Sequence, residues 1–93
     1  NDNPVGVGMI IINSSKQAQI RFMGVKEEMR GKNVGTLLIS CLEMIACENK
    51  CSEIILHSRE NAVKFYERNG FLIVKKTYLL FGQIQHFLMH KKI

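Results

Sequence analysis

One segment of this 93-residue sequence combines residue types that suit the binding of a phosphate group. Residues 30–35 read Arg-Gly-Lys-Asn-Val-Gly and stand between a stretch that ends at Val25 and an amphipathic stretch that begins at Val34. Glycines allow a tight turn in which several backbone N–H groups point into one concavity, and the arginine and lysine add full positive charges. A helix starting here would add its own unpaired donors. The segment therefore predicts a phosphate or pyrophosphate site, or else a plain connecting loop.

Two common phosphate-binding motifs do not fit this segment. The Gly-Lys-Ser/Thr ending of a P-loop is missing from residues 30–35. The glycine spacing also differs from that of dinucleotide-binding folds, and no strand–helix–strand unit begins the chain. The loop therefore belongs to neither of these two classes.

Two helices are predicted from hydrophobic periodicity. From Val34 to Glu48 apolar residues recur at three- and four-residue spacing, which is typical of an amphipathic helix. The predicted apolar stripe consists of Val34, Leu37, Leu38, Cys41, Leu42, Ile45 and Ala46. A shorter helix is predicted from Asn61 to Asn69, and Gly70 stands where a left-handed C-terminal cap belongs.

A β-hairpin is predicted before the first helix. Residues 5–12 are apolar and end in β-branched side chains, so they predict a buried strand. A turn cluster follows, and residues 19–25 then alternate with Ile20 and Phe22 on one face. Together these features predict two antiparallel neighbours.

Three further strands complete the predicted sheet. Residues 52–58 are apolar on both faces, as in strands that lie inside sheets covered by helices. Residues 71–80 and 84–90 are separated by a turn near Gly82. The order β-β-α-β-α-β-β predicts an α/β (α+β) fold with a mixed, mostly antiparallel twisted sheet and flanking helices.

The loop resembles the acyl-CoA loop of the GNAT superfamily of N-acetyltransferases. The family pattern is Arg or Gln, two residues, Gly, one residue, and Gly or Ala. Arg30 and Gly35 match it, whereas Asn33 replaces the central glycine. This replacement is mild, because asparagine tolerates the left-handed conformation better than other non-glycine residues. Residues 22–25 resemble the strand whose exposed backbone edge pairs with the pantetheine arm in that family.

The segment 61–71 resembles the second signature of the same family, Ala-x-x-Phe-Tyr-Glu-x-x-Gly-Phe. The matching residues are Ala62, Phe65, Tyr66, Glu67, Gly70 and Phe71. The two motifs stand in the family's order and at the family's spacing. The resemblance therefore implies an acyl-CoA N-acyltransferase fold, with residues 1–93 forming a single domain.

The resemblance also implies roles for individual residues. Tyr66 would protonate the departing CoA thiolate, which a positioned phenol is able to do. Its alternative role is an aromatic side chain packed on the sheet with its hydroxyl at the rim. Asn61 would contact the cofactor or would cap the helix N-terminus, while Arg59 occupies the place of a family asparagine. The implied cofactor-binding residues are Met23, Val25, Arg30, Gly31, Lys32, Asn33, Val34, Gly35, Thr36 and Asn61.

The base that would deprotonate an attacking amine does not stand out in the sequence. His57 lies near the C-terminal end of the central strand, where a neutral imidazole could accept a proton or could simply pack. Glu27 and Glu28 are expected to be solvated, and His86 and His90 lie on the last strand. A water relay is the remaining alternative.

The chain is short at its front relative to the family. A strand and two helices usually precede the first hairpin there, whereas four residues precede Val5 here. The natural protein is short, or its front has been removed, or a partner chain supplies it. A homodimer would be one way to cover the sheet edge that this leaves open.

Composition and charge disfavour several classes of protein. Apolar residues make up 46% and charged residues 23%, as in ordinary soluble domains, and no apolar run could span a bilayer. The net charge of +5 is spread along the chain, so a small anionic ligand fits better than nucleic acid. The three cysteines match no zinc spacing and suit a reducing cytosol. A cytoplasmic protein without a metal is therefore expected.

The sequence thus predicts an enzyme that moves an acetyl group from acetyl-CoA directly to a primary amine. The acceptor would be a small molecule or a peptide, with no membrane or nucleic-acid partner. A second hypothesis is a CoA-binding protein with little or no catalysis and a regulatory role. A third, a small basic nucleic-acid-binding domain, lacks the aromatic and basic sheet surface that such domains use.

Overall fold

A five-stranded sheet and two helices form the structure, a computed structural model that describes residues 6–26 and 33–93. The elements in chain order are β1 (Gly6–Ile12), β2 (Gln17–Val25), α1 (Val34–Glu48), β3 (Glu53–Arg59), a 3-10 turn (Glu60–Ala62), α2 (Val63–Arg68), β4 (Leu72–Leu80) and β5 (Ile84–Lys92). The predicted order of strands and helices is therefore confirmed. Neither of these helices has the length and apolarity needed to cross a membrane.

The strands lie in the order β1-β2-β3-β5-β4. β2 and β3 run parallel, because α1 returns the chain to the same end of the sheet before β3 starts. The other three neighbouring pairs are antiparallel. This arrangement confirms the predicted mixed, mostly antiparallel sheet and puts β3 at its centre.

A β-bulge interrupts β2. The pairing with β1 skips Arg21, which lies between Ile20 and Phe22. One extra residue reverses the alternation of side chains beyond it. Ile20 is 4% exposed and Met23 packs against the same core, whereas Phe22 is 55% exposed. The prediction that Ile20 and Phe22 share a face is therefore wrong.

Both helices pack on the same face of the sheet. The buried apolar residues that form the core are Ala18, Ile20, Ile39, Leu42, Ala46, Cys51, Ile54, Leu56, Val63, Phe71 and Met89. Ile54 and Leu56 of β3 belong to this core, while Ile55 and His57 alternate with them and face away. Within residues 6–26 and 33–93 no helix covers that opposite face, unlike the covered sheet that the apolar β3 predicted.

The buried face of α1 differs from the predicted stripe. The buried residues of α1 are Ile39, Leu42 and Ala46. Leu37, Cys41 and Ile45 were predicted to join the stripe but are exposed, with Leu37 at 62%. Apolar residues surround most of this helix, so its periodicity does not select one face.

β1 is an edge strand rather than a buried one. Val7, Met9 and Ile12 are 43–56% exposed, which corrects the prediction made from their apolar character. The glycines of β1 instead allow α1 to approach closely. A Cβ atom on Gly8 would lie 3.2 Å from Leu42 Cδ1, and this contact helps to choose the face that α1 buries.

Candidate functional site

A cleft opens where β2 and β3 separate. The parallel ladder between them ends at the Ile20–Leu56 pair. β2 continues beside β1 as far as Val25, and β3 continues beside β5 as far as Arg59. The bulge at Arg21 lies at the point of separation, where an extra residue bends a strand and increases its twist. Residues from both strand ends therefore line opposite walls of the cleft.

One wall of the cleft carries a free backbone edge. On the side that faces β3, residues 21–25 pair with no strand in the described part of the chain. Unpaired N–H and C=O groups on a strand edge are a template for an extended ligand with amide groups. Met23 and Val25, two predicted cofactor-binding residues, lie on this edge and line the cleft.

The N-terminus of α1 opens into the same cleft. Asn33 caps this helix with φ 64° and ψ 14°, the left-handed conformation that asparagine tolerates. The helical ladder begins with Leu37 N–H donating to Asn33 C=O at 3.0 Å. The N–H groups of Val34, Gly35 and Thr36 therefore have no intrahelical acceptor. All three residues line the cleft, so their donors can meet an anion there.

Three predicted loop residues, Arg30, Gly31 and Lys32, lie outside the described residues. Positively charged residues line the cleft: the described arginines in its lining are Arg21, Arg59 and Arg68. None of the described carboxylates lines it. A cleft with this charge attracts a polyanion such as a pyrophosphate. No group of three or more histidine, cysteine or acidic side chains in residues 6–26 and 33–93 could hold a metal ion.

The first and second signature segments are in contact at Gly35. A Cβ atom at this position would lie 2.8 Å from Phe65 Cζ in α2, which is closer than carbon atoms approach without displacement. The missing side chain therefore makes room for the Phe65 ring. This helix–helix contact was not foreseen in the sequence, where the glycine was assigned to the loop alone.

The end of α2 positions Tyr66. Gly70 has φ 94°, which confirms the predicted left-handed cap. Its N–H donates to Glu67 C=O, and Phe71 N–H donates to Tyr66 C=O, both at 3.0 Å. This pair of bonds is a Schellman motif. It brings the Phe71 ring against Tyr66 in an edge-to-face contact, with 5.8 Å between the ring centroids.

Tyr66 stands half-buried at the wall of the cleft. Phe65 makes a second edge-to-face contact with Tyr66, with 5.2 Å between the ring centroids. Two aromatic rings of the second signature segment therefore hold the Tyr66 ring. Burial raises the pKa of Tyr66 above its ordinary value of 10.0, so the phenol is protonated at neutral pH. None of the described residues hydrogen-bonds its hydroxyl. The group is therefore available to give a proton to a ligand.

Asn61 lies in the 3-10 turn rather than at a helix cap. α2 begins at Val63, and its N-cap is Ala62, with no side-chain capping bond. The interpretation of Asn61 as an N-cap is therefore wrong. Its side chain lines the cleft beside Arg59, where a contact with the cofactor stays a prediction.

Aromatic side chains line the remaining wall. Tyr78 stacks on His86 with ring centroids 4.4 Å apart and planes 15° apart, and its centroid lies 5.7 Å from that of His57. His57 Nδ1 is 3.5 Å from Thr77 Oγ1. The sequence pattern alone does not connect Tyr78 with His57 and His86. The hairpin around Gly82 gives the missing signal, because it pairs Leu79 with Gln85 and so brings the two strands together beside Tyr78 and His86.

Comparison with known proteins gives one family. Residues 1–71 match the acetyltransferase (GNAT) family. The chain is 27% identical over 90 residues to an uncharacterised N-acetyltransferase of Bacillus subtilis, covering 97% of this chain and 64% of that protein. It is 39% identical over 61 residues to glucosamine 6-phosphate N-acetyltransferase 1 of Dictyostelium discoideum, covering 66% and 39%. The chain thus spans less than two thirds of the length of these relatives.

The fold recurs in a solved structure of a GNAT family acetyltransferase from Elizabethkingia anophelis with acetyl-CoA bound. The TM-score is 0.87, and the match covers 100% of this chain and 71% of that one. At 14% identity this likeness concerns the fold alone, and it confirms the predicted acyl-CoA N-acyltransferase fold. Because the family match spans residues 1–71 of 93, the chain belongs to the GNAT family of acetyltransferases.

Proposed function

We propose that this chain binds acetyl-CoA in the cleft between β2 and β3 and transfers the acetyl group directly to a primary amine. The observation that carries the proposal is the end of the parallel ladder at Ile20–Leu56. It leaves a gap through the sheet beside the α1 N-terminus and Tyr66. The acetyl-CoA in the Elizabethkingia structure of the same fold supports this choice of donor.

The cleft offers separate groups to the two ends of the donor molecule. The pyrophosphate would accept hydrogen bonds from the N–H groups of Val34, Gly35 and Thr36. Arg30 and Lys32 stay predicted binding residues from the sequence. The amides of the pantetheine arm would pair with the free edge of β2 at residues 21–25. The thioester would then reach the gap where the two strands separate.

Tyr66 would act at the sulfur. The donor supplies an acetyl group on a thiol leaving group, and negative charge develops on sulfur as the amine attacks. A phenol at the cleft wall can donate a proton to that sulfur. The raised pKa of Tyr66 supports this role, because the donor must be protonated before the reaction.

The acceptor is proposed only as a class, a primary amine on a small molecule or a peptide. The Dictyostelium relative is named for glucosamine 6-phosphate, a phosphorylated amino sugar, which makes this compound a reasonable first acceptor to test. The arginines that line the cleft are compatible with an anionic acceptor.

Calorimetry followed by an amine panel tests the proposal. Acetyl-CoA and CoA should bind, while ATP, which lacks the pantetheine arm, should bind more weakly. Thiol release should then appear with at least one amine. A folded protein that binds neither acetyl-CoA nor CoA at millimolar concentration would contradict the proposal. Binding without turnover would instead support a CoA-binding protein with little catalysis.

A further inference from the structure

His57 occupies the apex of the cleft. It follows Leu56, whose pairing with Ile20 ends the parallel ladder, so it is the first residue of β3 beyond that ladder. Leu56 and Ser58 are buried on the helix face, and the alternation along the strand therefore sends His57 to the opposite face. Tyr66 packs against the core on the helix side. The gap thus has a titratable side chain on each face of the sheet.

Contacts with β4 hold the imidazole ring. His57 Nδ1 lies 3.5 Å from Thr77 Oγ1, and the ring is tilted at 43° to that of Tyr78. His86 supports Tyr78 from behind by stacking. No described residue bonds His57 Nε2. A hydrogen bond from Nδ1–H to the threonine would leave the lone pair on Nε2.

The surroundings of His57 favour its neutral form. The charged or titratable groups that line the cleft around it are Arg21 of β2, Arg59 of β3, Tyr78 of β4, His86 of β5 and Tyr66 and Arg68 of α2. None of the described acidic residues lines this cleft. Burial, then the charge of His86 and then that of Arg21 lower the pKa of His57 below 6.5. The imidazole is therefore neutral at pH 7 and able to accept a proton.

We infer that His57 is the base that deprotonates the acceptor amine, and that it acts from the sheet face opposite the helices. The inference rests on the proposed acetyl transfer. With this assignment, the proton transfer from nitrogen and the proton transfer to sulfur take place on different faces of the sheet. His57 would act on nitrogen from one face of the gap, and Tyr66 would act on sulfur from the other.

The protons and bonds balance with these two residues. His57 Nε2 takes a proton from the acceptor ammonium, and the freed nitrogen lone pair forms the N–C bond to the acetyl carbon. The C–S bond breaks, and the sulfur receives the proton of the Tyr66 hydroxyl. The second nitrogen proton restores the phenol, and His57 releases its proton to solvent. The products are an amide, a free thiol and one proton.

The first test is His57→Gln, with His90→Gln as a matched control. His90 alternates onto the same sheet face, but its Nε2 lies 2.9 Å from Glu53 Oε1, away from the cleft lining. With an alkylamine acceptor, kcat/KM should fall about 10²–10⁴-fold in His57→Gln, the usual contribution of a positioned base, and stay near the parent value in His90→Gln. Acetyl-CoA affinity should be unchanged in both variants.

The second test varies the acceptor. An amine whose pKa lies well below the assay pH, such as an aniline or hydroxylamine, already carries a free lone pair. The loss in His57→Gln should therefore shrink strongly with such an acceptor. An equal loss with both kinds of amine would overturn the inference, because structural damage does not depend on the pKa of the acceptor.

NMR gives a readout that does not depend on turnover. The imidazole signal that disappears in His57→Gln should titrate below pH 6.5 in the ligand-free protein. A midpoint above the pH of the activity assay would overturn the inference, because a protonated imidazole accepts no proton. A parent that fails to bind acetyl-CoA contradicts the proposed function itself. A His57→Gln variant as active as a functioning parent contradicts only the assignment of the base.

Discussion

Tyr66 uses different atoms for its packing and for its proposed chemistry. Its ring is held by Phe65 and Phe71 in two edge-to-face contacts, and these contacts use no oxygen. Its hydroxyl has no hydrogen-bond partner among the residues that the structure describes. Removal of the oxygen should therefore separate the two roles.

We predict that Tyr66→Phe lowers kcat about 10²–10⁴-fold, as expected when one general acid is lost. The free energy of unfolding should hardly change, because the same ring fills the same space. Acetyl-CoA affinity should also hold, since the proton is needed only as charge develops on sulfur. The measurement is thiol release at saturating acetyl-CoA with an amine that the protein accepts.

Single-turnover kinetics complete this comparison. If product release limits the kcat of the parent, a slower chemical step in the variant would not show fully in kcat. Single-turnover measurements exclude product release from the observed rate. A phenylalanine variant that retains more than half of the parent's single-turnover rate would show that Tyr66 only packs.

At the scale of elements, the Schellman motif connects backbone geometry to the position of Tyr66. Gly70 allows the left-handed turn, and the turn sets Phe71 against Tyr66. Lys91 Nζ donates to Asn69 C=O at 2.8 Å and pairs with Glu43 of α1. β5 therefore also contacts the C-terminal end of α2. The end of α2 is therefore built into the site.

We predict that Gly70→Ala lowers both stability and thiol release. A non-glycine residue in the left-handed region costs about 1–2 kcal/mol, and the added Cβ would also lie 3.0 Å from Lys91 Cε. Relief of this strain would shift Phe71 and, with it, Tyr66. Chemical denaturation and single-turnover thiol release measure the two effects.

Gly82→Ala provides the control for this backbone effect. Gly82 also has a positive φ, 67°, but a Cβ there meets nothing within 4 Å, and the residue does not line the cleft. The control should lose a comparable amount of stability and keep its activity when both are measured under folded conditions. Equal activity in the two alanine variants would contradict the link between the cap and Tyr66.

At the scale of the whole molecule, ligand binding should contribute a large part of the stability. The 93 residues of this chain bury a limited core, which leaves a modest margin of stability. A ligand that binds only the native state stabilises it by an amount that rises with the logarithm of the ratio of ligand concentration to Kd. The cleft contacts α1, α2, β2 and β3 at once, so acetyl-CoA would hold these elements together.

We predict that acetyl-CoA at 100 times its Kd raises the Tm by roughly 10–20 °C. This follows from about 2.7 kcal/mol of binding linkage and about 4–8 °C per kcal/mol for a domain of this size. Thermal unfolding with and without the ligand measures the shift, with ATP as the comparison. A Tm that does not respond to a calorimetrically proven ligand would contradict native-state binding across these elements.

Local sequence patterns were enough to predict the elements, their order and the family's signature residues. The bounds Val34–Glu48 of α1 and the left-handed Gly70 follow from local rules of periodicity and capping, which need only neighbours in the chain. The two motifs identified the family because their spacing depends on elements of fixed length. These features depend on residues that are close together in the sequence.

Burial of particular faces and contacts between distant residues depend on tertiary packing. The bulge at Arg21 reverses a strand face that simple alternation predicts wrongly, and the Phe65 ring fills the space beside Gly35. The position of His57 in the cleft depends on where the pairing of β2 with β3 ends. These two strands are separated in the sequence by α1. Such contacts arise from packing between remote segments, and local periodicity carries no information about them.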